Sequence, residues 1–277
     1  MSIVSAPSTG TARSAGPGRS AVAQIVHQAK YEVLIYIRDP RARGFTMALP
    51  VMLFLLFGYI FRHESFSYEG TTVSGVSYYL SRMIVLDVVG STLSNLVINV
   101  VNKRESGALK RRRASPVRTS ALIGGDVITS EVSALSITVV LVLIGSLAFS
   151  VRLNGTGIAL VLLVAIVGTA CLCAVAYAVT AFIKSQESAG PLVMLIMFAL
   201  NAVSGIYIPE TLFPSWLRDA AQVLPIRPLA TAMQAAVDPA TNGGRQFAWP
   251  DLLIVLAWGV AGTLFAVRRF SWAPSRS

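Results

Sequence analysis

The sequence is poor in the residues on which most catalytic and metal-binding sites depend. It has two cysteines, two histidines and 13% charged residues among 277 positions, where an average soluble domain has about 25% charge. Cys171 and Cys173 are two residues apart on a predicted helix, so they face nearly opposite sides and cannot share a disulfide or a metal. His27 and His63 have no second ligand at metal-binding spacing. A disulfide scaffold, a metal centre and a disordered chain are therefore disfavoured.

Nucleotide-binding and hydrolytic motifs are also missing. No Gly-x-x-x-x-Gly-Lys-Ser/Thr phosphate-binding loop and no Gly-x-Ser-x-Gly nucleophile motif occurs in the chain. We therefore predict that the protein is not an enzyme and that it binds no cofactor itself.

Long apolar runs dominate what is present. Hydrophobic residues make up 54% of the chain, and a membrane-spanning helix needs about 17–25 of them in succession. Six runs approach that length, at residues 45–61, 83–101, 132–149, 158–183, 192–208 and 252–267. The sequence predicts an all-α polytopic membrane protein in which residues 20–277 form a single transmembrane domain.

Basic residues are distributed unevenly between the two sides of these spans. Most of the 23 Lys and Arg residues precede span one, lie between spans two and three, or follow span six. Because basic loops stay in the cytoplasm, both termini are predicted to be cytoplasmic. Arg82 is counted at the outer mouth of span two and Arg227 in an outer loop. The net charge of +10 is then a topology signal, and a nucleic-acid partner is not needed to explain it.

Residues 1–19 are predicted to be a flexible cytoplasmic tail, because they have no apolar core to form a signal peptide or a folded element. The next segment, 20–37, has apolar residues at helical spacing and ends at Asp39-Pro40. It is predicted to be an interface helix that either lies passively in the membrane surface or touches a cytoplasmic partner. Its apolar stripe includes Val22, Ile25, Val26, Ala29 and Val33.

Two connecting segments have unusual compositions. Residues 102–120 are intensely basic, which suits either anchorage to anionic lipid or contact with a partner. Residues 209–250 are too apolar for a solvated loop, and their prolines suggest short helices dipping into the outer leaflet. Those helices are predicted either to cap a cavity or to pack at the interface.

Span two is the span with a polar face, formed by Asp87, Ser91, Asn95 and Asn99. Polar side chains inside a membrane either line a wet pathway or hydrogen-bond neighbouring helices, and both interpretations stay open here. Asp87 is placed near the outer end, where snorkelling to water explains it. Asp126 and Glu131 are predicted to open span three, since carboxylates suit a helix N-terminus.

Three segments, taken in order, resemble a known family. They are RDPRARGFTMALPVMLFLLFG at the start of span one, KRESGALKRRRASPVRTSALIGGDVI after span two, and SGIYIPETLFPSWLRDAAQVLPIRPLATAMQ after span five. Together they resemble a permease subunit of an ABC-2-type exporter of the daunorubicin-resistance type. The resemblance implies six spans, a second permease that is identical or paralogous, and two cytoplasmic ATPase subunits that bind ATP and Mg²⁺.

The resemblance also implies roles for particular residues. The cytoplasmic loop that couples to the ATPase would comprise Arg104, Glu105, Gly107, Leu109, Lys110 and Pro116. An outer re-entrant gate would comprise Pro209, Pro214, Trp216 and Leu217. The expected activity is export of a hydrophobic or amphipathic solute (drug, antibiotic or lipid) through a bacterial cell membrane. The 19 Arg against 4 Lys also hint at a GC-rich bacterium. Export of a polysaccharide or lipid-linked glycan is the alternative, and an ion-coupled carrier or a membrane enzyme is disfavoured.

Overall fold

Helices make up most of the structure. The computed structural model describes residues 21–38, 40–68, 70–105, 119–183, 185–207 and 213–269. Their α-helices are α1 (Ala21–Arg38), α2 (Pro40–Ile60), α3 (Gly75–Val89), α4 (Val97–Glu105), α5 (Thr119–Ala148), α6 (Gly155–Thr180), α7 (Gln186–Val203), α8 (Ser215–Val223), α9 (Ile226–Val237) and α10 (Trp249–Arg269). A π-helical segment, Gly90–Leu96, joins α3 to α4. We call the continuous element Gly75–Glu105 the central helix.

Five helices are long and apolar enough to cross a membrane, by length and composition. They are Gly75–Glu105, Ile123–Ala148, Gly155–Thr180, Gln186–Val203 and Trp249–Arg268. The first predicted span corresponds to a shorter apolar helix, Thr46–Ile60, within α2. The described part of the chain is therefore a polytopic helical membrane protein, as predicted, and the total of six spans, which needs α2 as the first, stays a prediction.

Two predicted spans begin earlier than expected. The second begins at Gly75 instead of residue 83, where the Ser74 hydroxyl oxygen accepts a 3.2 Å hydrogen bond from the Ser77 backbone N–H. The third begins at Thr119 instead of residue 132, so Asp126 and Glu131 lie inside this helix and do not open it. Polar residues mark the limits of an apolar run but do not end a helix whose backbone hydrogen bonds continue through them.

A small β-hairpin departs from the all-α prediction. Strands β1 (Ser65–Tyr68) and β2 (Thr71–Ser74) pair antiparallel between α2 and α3, and Gly70 in the turn has φ of 81°. A hydrogen bond of 3.0 Å joins the Tyr68 hydroxyl to the Thr231 hydroxyl. The hairpin therefore fastens the start of the central helix to α9, a contact that hydrophobic periodicity could not reveal.

The core of the molecule surrounds the central helix, which is the most deeply buried of the five candidate spans. Its α3 part packs against α2, α5 and α9. Beside the hairpin, aromatic rings cover its first turns: the Phe57 and Phe61 rings lie 4.8 and 5.0 Å from the Tyr79 ring, centroid to centroid. The central helix is thus the element around which the other spans are arranged.

Helices α6 and α10 approach each other closely through two glycines. A Cβ atom on Gly262 would lie 2.8 Å from the Val175 backbone nitrogen and 2.9 Å from the Ala174 carbonyl carbon. A Cβ atom on Gly259 would lie 2.8 Å from the Cys171 sulfur. Small residues at such positions let helix backbones come together in a membrane, where packing replaces the hydrophobic effect as the driving force.

We expect Gly262→Ala to lower stability by about 1–3 kcal/mol, because the added methyl group meets backbone atoms that cannot rotate away. The matched control is Gly44→Ala in α2, where an added Cβ meets nothing within 4 Å. The measurement is the thermal unfolding midpoint of each variant in detergent. Equal midpoints for Gly262→Ala and the wild type would contradict the close α6–α10 contact.

Candidate functional site

The two ends of the bundle carry different polar groups. We call the end formed by residues 102–105, 119–126 and 177–188 the loop end, because the basic segment leaves and re-enters the bundle there. The opposite end, with residues 61–75 and 149–155, is the hairpin end.

Arg104 closes the C-terminus of α6 at the loop end. Its side chain is 5% exposed. One guanidinium nitrogen donates to the Thr180 carbonyl oxygen at 3.3 Å, and the other donates to the Ile183 carbonyl oxygen. The last carbonyls of a helix have no partner within the helix and carry partial negative charge. Arg104 therefore satisfies carbonyl groups that α6 leaves open in the low-dielectric bundle.

Glu105 performs the opposite task at the start of α7. Its Oε1 atom accepts a hydrogen bond of 2.7 Å from the Gln186 backbone N–H. Ser185 caps the same helix end, since its hydroxyl accepts from the Ser188 N–H at 3.3 Å. The first N–H groups of a helix favour a negative charge. Arg104 and Glu105 together hold both sides of the turn between α6 and α7.

An ion pair brings a further helix, α5, into this network at the loop end. The Lys103 ammonium donates to Asp126 Oδ1 at 2.6 Å, and the Tyr177 hydroxyl donates to Asp126 Oδ2 at 2.9 Å. These residues lie on α4, α5 and α6. Lys103, Arg104 and Glu105, the last three residues of α4, thus connect four helices through consecutive side chains. We call these three residues with Asp126 and Tyr177 the loop-end cluster.

The other predicted coupling residues cannot be placed. Gly107, Leu109, Lys110 and Pro116 lie outside the described residues. The coupling role of Arg104 and Glu105 stays a prediction.

Helix α1 packs chiefly against α5. Ser133 of α5 donates a 3.0 Å hydrogen bond to the Tyr36 hydroxyl oxygen. Of the predicted stripe, Ala29 is buried, Val33 is half-buried and Val26 is 59% exposed. The side chains of Val22 and Ile25 lie outside the described set. The interface role of this helix stays a prediction.

The polar stripe of the central helix changes in exposure along its length. Asp87 and Ser91 are buried, Asn95 is half-buried and Asn99 is exposed. Asp87 follows Gly75 by twelve residues, which is about 18 Å along the helix. Snorkelling to the outer surface is therefore the wrong explanation of Asp87. It is 2% exposed, and neither of its carboxylate oxygens has a hydrogen-bond partner.

Two arginines predicted at the outer mouth or in an outer loop are also buried. Arg82 is 0% exposed, with its guanidinium carbon 4.7 Å from the centre of the Tyr78 ring and 5.4 Å from that of Tyr68. Arg227, at the start of α9, is 8% exposed. Aromatic faces attract a cation, and the attraction is stronger away from water. Counting basic residues by loop could not detect this, because both arginines lie beside apolar helices.

The segment after the fifth predicted span forms a helical pair, α8 and α9. Of the predicted gate residues, Pro214 directly precedes α8, Trp216 is 68% exposed on α8 and Leu217 is half-buried. Pro209 lies outside the described residues, and the gating role stays a prediction.

Helices α8 and α9 lie beside the middle of two long spans. The Trp258 indole N–H donates to the Val223 carbonyl oxygen at 2.7 Å, nine residues into α10. A Cβ on Gly168 of α6 would lie 2.6 Å from a Leu229 methyl group. The turn between α8 and α9 therefore lies near the middle of α6 and α10, far from either end of these spans.

No group of three or more His, Cys, Asp or Glu side chains that could hold a metal ion occurs within the described ranges. The two cysteines are free and buried, as small core side chains.

Comparison with known proteins identifies the class. Residues 62–268 match the model of the ABC-2 family transporter proteins, so the match covers the hairpin, the central helix and all later spans. The chain belongs to this family, and it is a membrane component of an ABC transporter. A search of curated proteins found no match.

The backbone partners of the loop-end cluster carry no signature in the sequence. The family resemblance points to Arg104 and Glu105, but the Thr180 and Ile183 carbonyls and the Gln186 N–H are main-chain groups. The Lys103–Asp126 pair, by contrast, can be inferred from the sequence. Two antiparallel spans joined by one loop bring a base before that loop and an acid after it to the same level.

We expect Glu105→Ala to increase hydrogen exchange of the Gln186 amide about fivefold, because the start of α7 loses a cap. Glu105→Gln keeps an oxygen acceptor and should restore most of the protection. Exchange mass spectrometry of peptides covering the start of α7 measures the change. The start of α6 serves as an internal control, since the Asn154 side chain caps it at the far end of the bundle. Unchanged exchange in Glu105→Ala would refute the cap.

Proposed function

We propose that the protein is the permease subunit of an ATP-driven exporter, similar to those of daunorubicin resistance, that moves a hydrophobic or amphipathic solute out of a bacterial cell. A separate ATPase subunit, in two copies, supplies the energy. A second permease, identical or paralogous, completes the pathway. Membership of the ABC-2 family supports a division of labour between permease and ATPase, since no phosphate-binding loop occurs in this chain.

The observation that carries the proposal is the position of Arg104 and Glu105. They bind the turn between α6 and α7, and they are the last residues of the central helix before the basic segment. A force on that segment would therefore act on the central helix and on α7 together. Coupling requires that the contact with the ATPase differ between nucleotide states, and a rigid connection to the spans converts that difference into movement.

The distribution of charge supports a cytoplasmic loop end. The described residues there include Lys103 and Arg104, and the segment that follows holds Lys110, Arg111, Arg112 and Arg113. Basic segments this close to a span are retained on the cytoplasmic side. If α2 also crosses the membrane, as the first of six spans, both termini would lie on that side. Helices α8 and α9 would then enter from the outer surface as the gate.

Apolar side chains on the surface of the bundle support lipid or a second permease as neighbours. On α7, Met194, Leu195 and Phe198 are each more than 60% exposed. On α2, Met52 and Tyr59 are similarly exposed. Faces this apolar are stable only against acyl chains or another protein.

Co-purification tests the proposal directly. A phosphate-loop ATPase encoded beside the permease should co-purify with it, and the reconstituted complex should show solute-stimulated ATP hydrolysis. Glu105→Ala should reduce both transport and stimulation while inserting normally, because the loop is detached from α7. Glu105→Gln is the matched control and should retain both.

Three results would contradict the proposal. One is transport by the purified permease without an ATPase. Another is labelling from outside the cell of a cysteine placed in residues 106–118. The third is undiminished coupling in Glu105→Ala. Stimulation by glycans alone would replace the solute class with the polysaccharide alternative.

A further inference from the structure

The feature that the proposed function leaves unexplained is the Asp87 carboxylate. It is 2% exposed within the bundle and both of its oxygens are without a hydrogen-bond partner. Burying an isolated carboxylate costs several kcal/mol, so such a group needs its proton or a cation beside it. Buried polar side chains nearly always have a partner in native structures. An unpartnered one this deep therefore points to a partner that the chain itself does not supply.

The nearest arginine along the helix, Arg82, lies on a different side of the helix from Asp87. Arg82 precedes Asp87 by five residues, so the two side chains leave the helix about 140° apart. The Arg82 guanidinium lies over the Tyr68 and Tyr78 rings, beside the hairpin. The cation that Asp87 lacks is therefore not supplied from its own helix.

Unfilled space lies beside Asp87 on its own helix, and the two helices α5 and α6 that pack against α3 carry further unpartnered polar atoms. Gly90 is three residues on and shares its face of the helix, and an added Cβ there would meet no atom within 4 Å. The Thr138 and Thr169 hydroxyls, on α5 and α6, are also buried without partners. Leu80 meets Gly145 near one end of the α5 contact and Lys103 meets Asp126 near the other. This register puts Thr138 at about the depth of Asp87.

The polar stripe leads from this position towards the loop end. Ser91 is buried, Asn95 is half-buried and Asn99 is exposed, so polarity continues from Asp87 to the surface of the bundle. The π-helical segment Gly90–Leu96 occupies the middle of this stripe. Such segments occur often at functional sites, where a helix must repack.

We propose that Asp87 is the recognition site for a protonated amine on a hydrophobic body, reached along the stripe from the loop end. The inference rests on the proposed export function and narrows its solute class to hydrophobic ammonium compounds. The ammonium would pair with the Asp87 carboxylate and donate to the Thr138 hydroxyl at the same depth, while the apolar body lies against Gly90. A neutral molecule of the same shape would leave the carboxylate unpaired and bind more weakly.

Binding to the purified permease tests this inference without any ATPase. The probes are dansylcadaverine, which carries a primary ammonium, and its N-acetyl derivative, which is neutral and otherwise the same. Fluorescence titration in phosphatidylcholine nanodiscs should give at least about tenfold tighter binding of the amine to the wild type. Asp87→Asn should bring the two affinities within about twofold of each other. Asp219→Asn, which removes an exposed carboxylate on α8, is the control and should keep the preference.

A second measurement avoids dependence on the folding of a variant. A carbodiimide joins an amine to a neighbouring carboxyl group as an amide, and itself takes up the water released to become a urea. With dansylcadaverine bound to the wild type, mass spectrometry should find the label on Asp87. Exchanging phosphatidylcholine for phosphatidylethanolamine then distinguishes the two sources of the amine. If phosphatidylethanolamine competes with dansylcadaverine, the natural ligand is a lipid headgroup. If it does not compete, the ligand is a free solute.

Three results would overturn the inference. They are equal affinities for the two probes in the wild type, an undiminished preference for the amine in Asp87→Asn, and carbodiimide labelling of other carboxyl groups, or of none, instead of Asp87. The proposed function has a separate readout, because co-purification with an ATPase and ATP-driven transport of neutral solutes do not depend on Asp87. An exporter that fails this test would therefore still be an exporter.

Discussion

Two opposite charges, one at each side of the turn that connects α6 to α7, organise the loop end of this transporter component. Arg104 satisfies carbonyl groups at the end of α6, and Glu105 satisfies an N–H group at the start of α7. Their order follows from the polarity of the helix, because the end of one helix is negative and the start of the next is positive. The rest of the loop-end cluster, with the Lys103–Asp126 pair, extends the connection to α5.

The deep burial of the central helix gives this connection consequences elsewhere. It packs against four of the other long elements, and the hydrogen bond between the Ser81 hydroxyl and Gln234 Oε1, at 2.5 Å, joins it to α9. A displacement applied at Glu105 would therefore reach the helices of the hairpin end through one continuous element. The π-helical segment is the part of that element where a change of register costs least, since its hydrogen bonding is already irregular.

The sequence supports the class of protein and the existence of its long apolar helices more securely than the contacts inside the bundle. Apolar runs identified α5, α6, α7 and α10 because hydropathy reports burial in lipid regardless of neighbours. The same reasoning misplaced Arg82 and Asp87 at the surface, because a polar residue near the limit of an apolar run has the same signature whether it faces water or the bundle. The start of the central helix at Gly75 was missed for that reason.

Other features leave no signal that a single sequence can show. The hairpin is two strands of four residues, too short for an alternating pattern to be decisive. The hydrogen bonds that Arg104 donates to main-chain carbonyls and that Glu105 accepts from a main-chain N–H depend on how the α6–α7 turn folds back on α4. The close contact of α6 and α10 at Gly262 depends on which two helices become neighbours, which glycine spacing alone does not determine.

The central claim is that α4 and α7 move as one unit when the partner ATPase acts. Electron spin resonance between labels on exposed residues tests it, in the assembled complex with both native cysteines replaced by alanine. The account predicts that the distance from Asn99 on α4 to Glu187 on α7 is the same with and without ATP, whereas the distance from Asn99 to Val267 on α10 changes. An ATP-dependent change between Asn99 and Glu187 would contradict it.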